Sequence, residues 1–171
     1  MEYPLGECEV KFTLDSTPVV VGLTLKEDEA TFSSNIDIYK IEVDQLDGPY
    51  RAYYLPGETT FKCAMLLSLE ELSKLSKVYE KGQTGYAMST SGKKVDFGKL
   101  EIHPISAGES TDYDITGPKV LCKPEVQIEY KKEGKAKVNL TFEFAADDKS
   151  SSPTYKKIFT VGKYQKAGIG G

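Results

Sequence analysis

In 171 residues the chain has no tryptophan, one histidine, one arginine and three cysteines. Each scarcity removes a class of function. With His103 the sole imidazole, a zinc site would need cysteine and carboxylate partners at short fixed spacings, and Cys8, Cys63 and Cys122 stand too far apart for that. Three is also an odd number for a disulfide framework. Each cysteine falls in an apolar alternating segment, so all three are expected as buried free thiols. Arg51 is the lone arginine and the formal net charge is −4, whereas a nucleic-acid surface shows clustered Lys and Arg with a basic balance, so tight nucleic-acid binding is not expected. No apolar run approaches the roughly 20 residues of a membrane helix, and Met1-Glu2-Tyr3-Pro4 lacks the basic start of a secretory leader. A protein made and kept in a cytosol, away from membranes, is the expectation.

Catalytic signatures are missing too. There is no Gly-x-Ser-x-Gly, phosphate-cradling loop or dinucleotide fingerprint. Glu27-Asp28-Glu29 reads as a solvated acidic turn, because calcium loops place their oxygens at alternating positions around a central glycine. His103, beside Pro104 in an alternating segment, reads as structural or surface-exposed. The chain is therefore expected to be no enzyme, with no catalytic residue, no metal ligand and no cofactor.

Alternation is what the sequence has in abundance. Cys8, Val10, Phe12 and Leu14 interleave with Glu7, Glu9, Lys11 and Thr13, the pattern of a half-wet strand. A second strand is expected over 18–25 after the Asp15-Ser16-Thr17 turn, and a third over 30–43. In the third, the apolar parity changes between Ile36/Ile38 and Ile41/Val43, which predicts a β-bulge or two halves facing different surroundings. Further strands are predicted over 86–90 and 94–97 as a hairpin about Ser91-Gly92-Lys93, over 99–105, and over 155–161. Val126, Ile128 and Tyr130 pair with Val138, Leu140, Phe142 and Phe144 across Lys131-Lys132-Glu133-Gly134. At 171 residues and 39% hydrophobic content this makes one domain, 1–171, with a flexible C-terminal tail expected over about 163–171, small-residue from Ala167 on.

One segment breaks the strand pattern. Phe61, Cys63, Met65 and Leu67 share a strand face, then Ser68 stands three residues before Glu71, a capping box. Leu69, Leu72, Leu75, Val78 and Tyr79 recur at helical spacing, with Glu70 and Glu71 at the start and Lys74, Lys77 and Lys81 toward the end. A single helix is predicted from Ser68 to Gly82, with Leu69, Leu72, Leu75 and Tyr79 as its core face. The fold class is mainly β: an antiparallel sandwich or half-barrel with one flanking helix.

From Asp44 to Glu58 the alternation dissolves. Gly48-Pro49 and Pro56-Gly57 bracket Tyr50, Arg51, Tyr53, Tyr54 and Leu55. A structureless loop of this length is uncommon unless it is functional, and tyrosine and arginine are enriched at interface cores. The other possibility is a hairpin with 50–55 as a strand, and a hairpin that also makes a contact satisfies both. Charge is uneven: residues 1–60 hold 12 acidic and 4 basic residues, the remainder 14 and 18.

In order, these elements resemble the major tail protein, or tail tube protein, of long-tailed bacteriophages and prophages. The likeness is carried by Lys40-Ile41-Glu42-Val43-Asp44-Gln45-Leu46-Asp47-Gly48-Pro49, by Leu55-Pro56-Gly57-Glu58-Thr59-Thr60, and by Leu69-Glu70-Glu71-Leu72-Ser73-Lys74-Leu75. Leu100-Glu101-Ile102-His103-Pro104-Ile105, Lys123-Pro124-Glu125-Val126 and Phe159-Thr160-Val161-Gly162 resemble the closing half. The resemblance spans about 6–162. It implies hexameric rings that stack into a hollow tail tube through which DNA is delivered, made in a bacterial cytoplasm and resident in the virion tail. Its implied partners are further copies of the chain, the tape measure protein and other tail proteins, with double-stranded DNA only in passing. Gln45, Leu46, Tyr50, Arg51, Tyr53, Tyr54 and Leu55 become the inter-ring contact. Glu7, Glu9, Asp37 and Glu42 become candidates for an acidic lumen, which would repel the phosphate backbone rather than hold it. Rival readings are another ring-forming tail part, such as a terminator, a distal baseplate ring or the tube of an injection system, and a monomeric β-sandwich module that stacks sugars on Tyr50, Tyr53 and Tyr54.

Overall fold

Cys8, Val10, Phe12 and Leu14 turn to one side of a strand, and the rest of the chain is built onto it. The computed structural model describes residues 6–26, 28–89, 92–128, 136–165 and 167–168. Strands β1 (Cys8–Leu14) and β2 (Thr17–Leu23) form a hairpin. Asp15 and Ser16 close it with φ of 46° and 65°, the two-residue turn whose twist matches that of the strands. β3 (Thr31–Glu42) and β4 (Pro49–Leu66) make a far longer hairpin, and α1 (Leu69–Leu75) follows directly. After it come β5 (Tyr79–Lys81), β6 (Tyr86–Met88), β7 (Gly98–Pro104), β8 (Ile115–Ile128), β9 (Ala136–Ala145) and β10 (Thr160–Val161).

The main sheet runs β2-β1-β7-β8-β9-β4-β3, with β10 added on β8, and its pairings are antiparallel. It curls until β2 approaches β4: Leu25 N–H donates to the Ala64 carbonyl at 2.9 Å. Gly22 lies so near Met65 that a Cβ there would stand 2.9 Å from its Cε. The fold is mainly β, a half-barrel with one α-helix among the described residues. Its concave side holds Val10, Phe12, Val20, Phe61, Met65, Leu100, Val120, Val138, Leu140 and Phe142, all essentially solvent-free. Phe142 is central, with ring centroids 5.4 Å from Phe12 and 6.2 Å from Phe61. Burying each such side chain is worth about 1.5–3 kcal/mol. Cys63 and Cys122 pack here as free thiols and Cys8 at its margin. Burial pushes the Cys63 thiol up to about 12 and raises Cys8 and Cys122 as well, so none is a ready thiolate.

Several elements differ from their sequence readings. The helix ends at Leu75, because Ser76 is extended (φ −139°, ψ 127°) and caps with its N–H on Leu72 O. Ser68 Oγ accepts from Glu71 N–H at 3.2 Å, the expected cap. The predicted later turns are instead β5, which pairs with β6 through a turn in which Gly82 N–H meets Gly85 O. Tyr79 is therefore half-buried on a strand, and 94–97 is not the partner of β6. Leu72 and Leu75 are buried, but Leu69 is 49% exposed and leaves the predicted core face. Of the predicted strand over 155–161, only Thr160–Val161 pairs, because the stretch before it is a tight loop organised by Asp147. Asp147 accepts from Lys149 N–H (3.0 Å) and Thr154 Oγ1 (2.7 Å), while Lys156 N–H donates to its carbonyl (2.8 Å). The turn Lys131-Lys132-Glu133-Gly134, Tyr130, Glu27, Ser91, Met1 to Pro4 and the last three residues lie outside the described residues.

Candidate functional site: an apolar two-stranded arm

As far as the Ser34–Thr59 pair, the β3–β4 hairpin belongs to the body. Phe32 packs edge-on against Phe144 and Phe159, at 5.7 and 5.0 Å between centroids, and Thr59 and Thr60 are buried. Then the ladder slips. Ser34 opposes Thr59 but Ile36 opposes Pro56, so β4 carries one extra residue across from Asn35. Asn35 Oδ1 fills the gap in the ladder by accepting from Glu58 N–H at 2.6 Å. Gly57 is required there, since a Cβ would fall 2.1 Å from the Asn35 carbonyl oxygen.

Beyond the bulge the hairpin continues for a further six paired positions, Ile36–Pro56 to Ile41–Arg51, before a second slip at Glu42–Pro49. The expected long loop from Asp44 to Glu58 is thus corrected: only 43–48 is turn, and Pro49 onward is strand. Pro56 fits because it lies beside a bulge in a stretch with β3 on one side only, where a missing N–H is tolerated. The bulge expected between Ile38 and Ile41 is absent, since the register is regular from Ile36 to Ile41; the two slips, at 34/36 and 41/42, put their extra residues on β4, and Ile41 simply faces the other way from Ile36 and Ile38.

Among residues 35–58 only Ile41 and Gly57 are even half-buried. Parity on β3 runs unbroken from Phe32, so Ile36 and Ile38, with Pro56 and Tyr54 opposite them, extend the core face past the end of the body. The other face presents Asp37 opposite Leu55, Tyr39 opposite Tyr53 and Ile41 opposite Arg51. Tyr54 is 79% and Ile36 64% exposed. The arm is therefore apolar on both faces. Both its edges are unpaired among the described residues, since β3 pairs only with β4, and β9 meets β4 only from Thr60 onward.

At the tip, Leu46 N–H returns to Val43 O (3.2 Å) and Gly48 has a φ of 102°. Leu46 is 56% exposed between Asp44 and Asp47, beside Gln45. The Arg51 guanidinium lies 5.4 Å over the Tyr50 ring. The sequence reading named Tyr50 to Leu55 but missed Asn35, Ile36, Ile38 and Tyr39, whose signal was an isoleucine pair alternating with polar residues that no neighbouring strand covers.

The four acidic residues read as one group are dispersed. Glu9 stands on the outer face of β1 opposite Leu23 and His103, Glu7 lies just before β1, and Asp37 and Glu42 are on the arm. His103 has its own role: Nδ1 lies 2.6 Å from Asp114 Oδ1 and Nε2 2.9 Å from the Gly108 carbonyl oxygen. The Asp114 bond above all, then the Gly108 bond and the charges of Asp114 and Glu9, raises its pKa against partial desolvation. Asp28 of the acidic turn is paired with Lys137 at 2.7 Å. Among the described residues no group of three or more His, Cys, Asp or Glu side chains is placed to hold a metal ion. No protein-family model matches the sequence, and no curated protein does.

Proposed function

We propose that this chain is a tail tube protein of the long-tailed bacteriophage type, forming hexameric rings that stack through the β3–β4 arm into a tube for DNA delivery. The observation that carries it is the arm itself. Soluble monomers rarely leave so continuous an apolar surface bare, and here Ile36, Ile38, Tyr39, Leu46, Tyr50, Tyr53, Tyr54 and Leu55 are all exposed on one projection. Two free strand edges add backbone groups that another chain can pair with. The tyrosines favour this reading over a sugar-stacking module, because Tyr53 and Tyr54 point to opposite faces and build no common platform. Dispersed exposed carboxylates such as Glu9 suit a wall past which DNA slides without being held.

Negative-stain microscopy and sedimentation of the purified protein at high concentration test the proposal. The wild type should give rings or tubes, and Ile38→Asp with Tyr54→Asp should give monomers of unchanged circular dichroism. A wild type that stays monomeric at every concentration overturns the proposal. Closed rings that never lengthen would reassign the chain to a terminator or baseplate ring.

A further inference from the structure

A narrow slot opens between the end of α1 and residues 93–96. Leu14, Leu75, Val78 and Val95 line it, and four lysines, Lys74, Lys77, Lys93 and Lys94, surround it against the single carboxylate of Asp96. Its volume is about 90 Å³, several-fold below the roughly 300–1,000 Å³ of small-molecule sites. A single aliphatic side chain suits it better than a metabolite.

Two of the lysines serve the fold. Lys77 Nζ pairs with Asp96 at 2.6 Å, and Lys93 pairs with Glu80 and donates to the Lys77 carbonyl at 3.1 Å. The other two are available. Lys74 has only a solvent-exposed pairing with Glu70 at 3.6 Å, and Lys94 has no ion pair among the described residues. A positive rim around an apolar slot calls for an apolar knob between negative charges. The arm tip is such a knob, with Leu46 exposed between Asp44 and Asp47.

We infer that the arm tip of one copy seats in the slot of a second copy, Leu46 entering between Leu75 and Val95 while Asp44 and Asp47 meet Lys74 and Lys94. The occupant is another molecule of this chain, and the inference rests on the tube-assembly reading. Exposed pairs of this kind act mainly on register and approach, and they weaken with salt.

A charge exchange tests it. Lys74→Glu with Lys94→Glu, and separately Asp44→Lys with Asp47→Lys, should each weaken self-association about tenfold or more, since attraction at two pairs becomes repulsion. All four substitutions in one chain should bring association back to within about threefold of wild type. Thermal unfolding monitored by circular dichroism confirms that each variant is folded, and the four-fold variant guards against a loss caused by misfolding. If both double variants associate like wild type while Ile38→Asp with Tyr54→Asp still abolishes assembly, the slot is not the seat and the tube reading stands. Failure of the four-fold variant to recover also overturns the seat. A wild type that does not associate overturns both.

Discussion

His103 shows how one side chain can hold a loop. A neutral imidazole carries one N–H, yet both ring nitrogens face acceptor oxygens, Asp114 Oδ1 and Gly108 O. Both bonds are made in full only by the imidazolium, which ties the end of β7 to the polar stretch before β8. Folding therefore raises the pKa above the ordinary 6.5. A raised value means the stabilisation is complete below pH 6.5 and is lost as pH rises through the folded value. Between about pH 6 and about pH 8.5 the urea midpoint of the wild type should fall relative to His103→Gln, which lacks this titration. Parallel profiles for the two proteins would show that the pair does not contribute.

At the scale of the element, α1 is short, so its attachment rests on few side chains. Leu72 is 1% exposed and Leu75 is 5%. Leu72→Ala should cost about 2–5 kcal/mol in a denaturant titration, whereas Leu69→Ala, at an exposed site, should stay within about 0.5 kcal/mol. The same helix marks where the sequence could be read and where it could not. Ser68 and Glu71 announced its start because capping is local chemistry. Its end was hidden, because Val78 and Tyr79 fall at helical spacing by coincidence and belong to a hairpin set by Gly82 and Gly85. β1 and β9 were legible for the opposite reason, since each turns one alternating face into the core, Val10 and Phe12 on β1 and Val138, Leu140 and Phe142 on β9. Pro56-Gly57 looked like a loop because a bulge depends on Asn35, 22 residues upstream, whose side chain completes the ladder. Tyr50, Arg51, Tyr53 and Tyr54 could be picked out by composition alone, but their division between two faces needed the register.

For the whole molecule, the tube reading makes the relevant quantity where charge would sit once copies had associated. Twelve of the 26 acidic residues fall in the first 60 positions; among those described, Glu9 stands on β1, Asp28 and Glu29 follow β2, and Asp37, Glu42, Asp44 and Asp47 lie on the arm. Reversing Glu7, Glu9, Asp37 and Glu42 to lysine shifts the formal net charge from −4 to +4, each reversal adding two positive charges. On the tube reading these variants should still assemble but retain double-stranded DNA in a mobility-shift assay at low salt, with retention falling steeply as salt rises. Assembled tubes of the lysine variant that leave DNA as mobile as wild type does would place these residues away from the channel.

The bulge at Asn35 and Gly57 has a mechanical meaning. It lies where the last covered residues give way to a bare ribbon, so it works as the root of a lever, and one amide oxygen held at 2.6 Å fixes the lever's angle. A small rotation at the root becomes a displacement of several ångströms at Leu46, since each strand residue adds about 3.3 Å of reach. In a polymer built from identical levers the rotation repeats at each layer and adds up along the length. Pitch and straightness would then be set by a hydrogen bond that touches no neighbouring molecule.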